Sequence, residues 1–151
     1  MIREELYRNI VEETQDAIIF ADREGAIQLW NSGAETMFGY HAEEAVGQSL
    51  DLIIPERLRG RHWEGYRKVM GTGVTRYGRE LLAVPALRKD GARISIEFTI
   101  VMLRDGTDEV VGTAALIRDV TTRWQQEKAL KEHIATLEEK VASLEKAAND
   151  G

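Results

Sequence analysis

The stretch ELLAVPALRKDGARISIEFTIVML, residues 80–103, decides the fold of this 151-residue chain. In its second half Ile94, Ile96, Phe98, Ile100 and Met102 share one parity, while Arg93, Ser95, Glu97 and Thr99 take the other. That period of two is the mark of a strand with one face buried and one wet. Asp90-Gly91 sits midway, and this dipeptide suits the positive backbone angles of a tight reversal. The stretch is therefore a hairpin. Pro85 in its first arm cannot donate to a ladder, so that arm carries a bulge or lies at an edge. A second Asp-Gly, at 105–106, turns the chain into a further strand, EVVGTAALIRDV.

Two more strands lie upstream in DAIIFADREGAIQLW, residues 16–30. AIIFA is a β-rich apolar run, Asp22 to Gly25 is the turn, and AIQLW is the partner strand. Asn31-Ser32 then caps a short helix, GAETMFGY, that Gly39 stops. HAEEAVGQSLDLIIPERL is rich in turn residues and reads as two very short helices before a longer one over 56–70. Ahead of everything, residues 3 to about 14 form a helix with Leu6, Ile10 and Ile2 on one side. The order predicts an α+β fold: a five-stranded antiparallel sheet with short helices on one face.

The hydrophobic content of 43% supports one domain with a real core. A net charge of −6 with no offsetting basic block argues against nucleic acid as a partner. The absence of cysteine excludes disulfides and thiolate chemistry. No apolar run reaches membrane-spanning length, and MIREELYRNIVEE is too charged for a signal segment. We expect a soluble, cytoplasmic protein with no membrane partner. No Ser-His-Asp order, metal-ligand cluster or phosphate-cradling loop appears, and Gly71-Thr72-Gly73 reads as a helix stop. The carboxylates are scattered over solvated faces. The expectation is a protein that is not an enzyme.

From residue 121 the composition changes, with no proline and no glycine before Gly151. Leu130, Ile134, Leu137, Val141, Leu144 and Ala148 recur at spacings of four and three, a heptad seam. With Ile134 and Val141 at a and leucines at d, a parallel two-stranded coil is favoured. Lys140 would face Glu145 of the partner, and His133 would face Glu138. Glu127 at the first a position weakens the start. The seam predicts a homodimer; the alternative is a lone amphipathic helix folded onto its own domain. The organisation expected is an N-terminal helix over 1–14, a domain over 15–120 and a coiled-coil signalling helix over 121–151.

One face of the helix over 56–70 raises a question of its own. Leu58, His62, Tyr66 and Val69 share a side that must point inward, because Arg57, Arg61, Arg67 and Lys68 occupy the others. His62 is either a satisfied core histidine or a residue that holds a ligand.

The strand pair, WNSGAETMFGY, VGQSL, IIPERLR, RKDG and IRDVT form an ordered series that resembles the PAS (Per-Arnt-Sim) sensor family over roughly residues 8 to 122. The resemblance implies a sheet cupping a small cavity, sensing or signal relay, and a junction at Asp119 and Thr121 that latches a signalling helix to the last strand. IIPERLRGRHWEGY resembles the segment of haem-binding oxygen-sensor PAS domains in which a histidine ligates iron. His62 is thereby the candidate metal ligand. Leu58 and Tyr66 on the helix, with Leu82, Ile96 and Phe98 on facing strands, are the candidate cofactor-binding neighbours. Gly65 would leave room for a flat macrocycle. A neutral imidazole suits haem iron.

The arginine that steadies bound oxygen in some such domains has Leu82 in its place; Arg79 substitutes only if the strand is shifted. Without cysteine, a flavin adduct of the light-sensing kind is excluded. Haem, another small organic ligand, and a ligand-free dimerisation or protein-interaction domain all stay open at this stage. So does the downstream effector. Trp30 is expected under the first short helix, Trp63 at the surface or on the loop after its helix, and Trp124 packed where the coil leaves the sheet. His41 and His133 are expected to be exposed.

Overall fold

The structure, a computed structural model, describes residues 1–75 and 82–151, with the side chain of Leu82 outside that description. Arg79, Glu80 and Leu81 therefore lie outside the described residues. Contacts divide the chain into two units, residues 1–119 and 120–151. The first holds helices α1 (Arg3–Glu13), α2 (Ser32–Phe38), α3 (Ala42–Ala45) and α4 (Glu56–Thr72), with a 3-10 turn at Leu50–Ile53. Its strands are β1 (Ala17–Asp22), β2 (Ile27–Trp30), β3 (Leu82–Leu87), β4 (Arg93–Arg104) and β5 (Val110–Asp119). They form one antiparallel sheet in the order β2-β1-β5-β4-β3.

The alternation in β4 sets the two faces. Ile94 and Ile96 are buried, and they join Ala17, Ile19, Ile27, Ile117, Trp30 and Phe38 in the main core. Trp30 lies 5.5 Å from the Phe38 ring and donates Nε1–H to Tyr40 O at 2.9 Å, under α2 as expected. Pro85 pairs opposite Ser95 on β3, an edge strand, and the β3–β4 register runs without a shift. The edge position accommodates the proline, because an edge strand is paired on one side only. Gly91 takes φ +85° in the hairpin turn. At the next turn the left-handed residue is Asp108, φ 66°, rather than Gly106. Asp105 organises that turn, its Oδ1 accepting from the N–H groups of Thr107 and Glu109.

Asn31 ties the start of the fold together. Its buried Oδ1 accepts from Ile18 N (2.8 Å) and Ala34 N (2.9 Å), and its Nδ2 donates to Val11 O (2.8 Å) and Asp16 O (3.0 Å). One amide thus caps α2, joins β1 and holds the end of α1. The rest of α1 is different, with no buried residue.

The second unit is one helix, α5 (Thr121–Asp150), with no buried residue along it. Leu130, Ile134, Leu137, Val141 and Leu144 are all exposed. Trp124 is 50% exposed, with Lys128 Nζ 5.2 Å from its ring centre. No helix among the described residues is long and apolar enough to cross a membrane.

Candidate sensory site on helix α4

Helix α4 begins after Pro55 and ends at Gly73, whose φ of +70° only glycine adopts without strain. Its inward face holds the expected Leu58, His62, Tyr66 and Val69, all buried or half-buried, and is widened by Trp63 and Met70. The side chains that close onto the sheet are Tyr66 and Met70, packed with Trp63, Val69, Leu50, Met102 and Val110. Residues 63, 66 and 70 follow the three-then-four spacing of a helix face, a signal present in the sequence beside the 58–62–66 row.

Trp63 does not lie on the surface or on the loop after α4. Its ring covers Gly25 so closely that a Cβ there would meet ring carbons at 2.1 and 2.2 Å. Its Nε1 donates to Asp51 Oδ1 at 2.7 Å. Gly25, at φ +83°, is thus needed twice, for the turn and for the indole. Tyr66 donates its hydroxyl to Asp22 O, with Ala21 O at 3.4 Å. Burial raises its pKa, a hydrogen bond with the Thr113 side chain opposes the rise, and the charges of Asp22 and Glu24 add to it. Arg23 reaches across from the β1–β2 turn to Val110 O (2.6 Å) and Met70 O (3.4 Å). Helix α4 is therefore stapled to β1 and β5 by hydrogen bonds that no single sequence motif announces.

His62 stands one turn before Tyr66, half-buried against the rings of Trp63 (4.7 Å between centres) and Tyr66 (5.8 Å). Its Nδ1 is buried and has no hydrogen-bond partner among the described residues. Desolvation lowers its pKa from 6.5, and the Asp51 carboxylate pulls the other way. The imidazole is therefore held neutral near pH 7, with a ring nitrogen unsatisfied. Most buried polar groups are paired, so an unpaired one points to strain, function or a missing ligand.

The neighbours named from sequence lie in two places. Tyr66 belongs to the α4 cluster, whereas Ile96 and Phe98 belong to the main core on the sheet's inner face. Leu58, like Ile100 on β4, is half-buried yet packs against neither cluster. Along the inner row of β4 burial falls from Ile94 and Ile96 to Phe98, Ile100 and Met102, which are half-buried. That end of the sheet is apolar and half-buried, with Phe98 packed on the main core and Met102 on the α4 cluster. Gly65 is exposed with open space around its Cα. Leu82 pairs opposite Phe98 by its backbone. Asp119 closes β5 and Thr121 opens α5. Asp51, Trp63, Gly25, Arg23 and Thr113 are the contributors that sequence reasoning missed.

Residues 5–120 match the PAS fold family. The chain belongs to that family. The sensor protein FixL of Bradyrhizobium diazoefficiens is 31% identical over 133 residues, covering 86% of this chain and 25% of that protein. The oxygen sensor protein DosP of Escherichia coli is 24% identical over 128 residues, covering 85% of this chain and 16% of that protein. The PAS domain of a Colwellia psychrerythraea protein superposes with a TM-score of 0.69 at 25% identity, covering 79% of this chain and 98% of its own. The chain spans a quarter or less of the length of these sequence relatives. It is a PAS sensory domain similar to those of sensor proteins.

Proposed function

We propose that this PAS domain is the input module of a dimeric signalling protein, and that His62 holds a ligand between α4 and the half-buried end of the sheet. The observation that carries this is the buried, unpartnered Nδ1 of His62. A neutral imidazole, an apolar strand face at Phe98, Ile100 and Met102, and the open space at Gly65 fit haem. Haem, when bound, would supply an iron centre able to take a diatomic gas. The similarity to a sensor protein and to an oxygen sensor protein supports that choice.

The output path follows from what α4 touches. Tyr66 packs with Val110 at the start of β5, and β5 runs on to Asp119 and into α5. A ligand that displaces α4 has a direct mechanical route to that strand. The strand then biases the pairing of α5 with a second copy through Leu130, Ile134, Leu137, Val141 and Leu144. The ligand acts by favouring one of two arrangements, so its effect is limited by its differential affinity for them.

The test is an absorption spectrum of the purified chain with haem added. The expected result is a Soret band at one haem per chain, lost in His62→Ala. A wild-type chain that takes up no haem overturns the haem reading. Retained binding in His62→Ala removes His62 from it.

A further inference from the structure

The C-terminal end of α4 is fastened from outside the helix. A helix leaves its last carbonyls without intrahelical donors, and its dipole makes that end negative. The last turn of α4 holds no basic residue of its own. Val69 O is taken by the Gly73 N–H at 2.8 Å. Met70 O and the carbonyl of the cap residue Gly73 are met by arginines from distant parts of the chain. Arg23, on the β1–β2 turn, donates Nη2–H to Met70 O at 3.4 Å. Arg104, the last residue of β4, donates Nη2–H to Gly73 O at 2.8 Å.

Each guanidinium uses a second arm on the β4–β5 hairpin. Arg23 Nη1 reaches Val110 O at 2.6 Å, and Arg104 Nη1 reaches Asp108 O at 3.1 Å. Both forks therefore bridge the same two elements. The hairpin end that receives them is itself tied, because Asp105 Oδ1 accepts from Thr107 N–H, Thr107 Oγ1–H and Glu109 N–H. Val110 is buried against Tyr66 and Met70. Gly73 makes room for the arrangement, since a Cβ there would stand 3.3 Å from Arg104 Nη2 and 3.6 Å from Val110 Cγ2. Nearer its start, α4 bonds to the neighbouring 3-10 turn instead. Arg59 donates to Ile54 O at 3.0 Å and Trp63 to Asp51 Oδ1 at 2.7 Å.

We propose that Arg23 and Arg104 are positioning residues that make the end of α4 and the β4–β5 hairpin one mechanical body, so that a ligand moving α4 at His62 drives β5 from its first residue. The inference rests on α4 being the input helix, and it names the parts that transmit the movement. A planar guanidinium suits the task, because its fixed fork holds two carbonyls at once. An ammonium matches the charge without the fork.

The test reads amide hydrogen exchange in the full-length chain with no ligand added, so its failure is separate from that of the haem spectrum. Trp63→Phe perturbs α4 by removing the indole bond to Asp51. With both arginines present, it should speed exchange at residues 110–113 several-fold relative to residues 32–38 of α2. In chains carrying Arg23→Lys with Arg104→Lys, adding Trp63→Phe should leave 110–113 at the rate of that parent. Each single lysine variant should show an intermediate response, which keeps the test in force if the double variant does not fold. Arginines that only stabilise their own neighbourhood would change the parent rate and leave the response to Trp63→Phe intact. A full response in the lysine chains therefore overturns the proposal. So does Trp63→Phe leaving 110–113 unchanged when both arginines are present, because α4 then moves without β5.

Discussion

Replacing His62 with leucine should make the protein more stable. The leucine side chain has similar bulk and no polar atom. In the wild type the Nδ1 is buried from solvent and has gained no partner among the described residues. An orphaned polar group costs ~1–3 kcal/mol, and because the ring is only half-buried the lower end applies, about 1 kcal/mol. At a urea slope of about 2 kcal/mol/M, the midpoint should rise by about 0.5 M.

The gap should widen in acid. Burial lowers the folded-state pKa of His62 below its ordinary 6.5. As pH falls through 6.5, the unfolded chain takes up a proton that the native state refuses, so wild-type stability drops. The leucine variant lacks that loss, and other titrating groups cancel in the difference. Urea unfolding without added haem, followed by tryptophan fluorescence at about pH 7.5 and about pH 5.5, measures both effects. A leucine variant less stable than wild type at both pH values would refute the reasoning. It would mean that the imidazole has a native partner and is an ordinary core residue.

Asn31→Ala should lower stability by about 3 kcal/mol, since it strands the Ile18 and Ala34 N–H groups and the carbonyls of Val11 and Asp16. Thermal unfolding checks this, and a loss below about 1 kcal/mol would show that water replaces the amide at little cost. Leu137→Glu with Leu144→Glu should separate the dimer while the PAS unit stays folded, because each buried seam leucine contributes about 1.5–3 kcal/mol. Sedimentation velocity reads this directly, and an unchanged dimer would take the main interface away from α5.

The sheet was legible in the sequence because its determinants are local. Alternation in 93–102 needs only the strand period, Asp90-Gly91 only a turn's backbone angles, and Asn31 with Gly39 only the unsatisfied ends of one helix. The heptad spacing of α5 is legible for the same reason. The site was legible only in part. His62 announced itself as an imidazole in an apolar row, yet its neighbours came from distant segments. Trp63 lies on Gly25 and Tyr66 bonds Asp22, contacts some forty residues apart that no local periodicity encodes. They widen the buried face of α4 from the 58–62–66–69 row to take in Trp63 and Met70. An apolar outer face of the sheet was hidden differently. Ile18, Phe20, Ala114, Leu116 and Val101 sit in runs that are apolar at nearly every position. Such runs show that a strand is hydrophobic without showing which residues face outward. Register alone aligns them into one patch, and register is a property of paired strands rather than of any one of them.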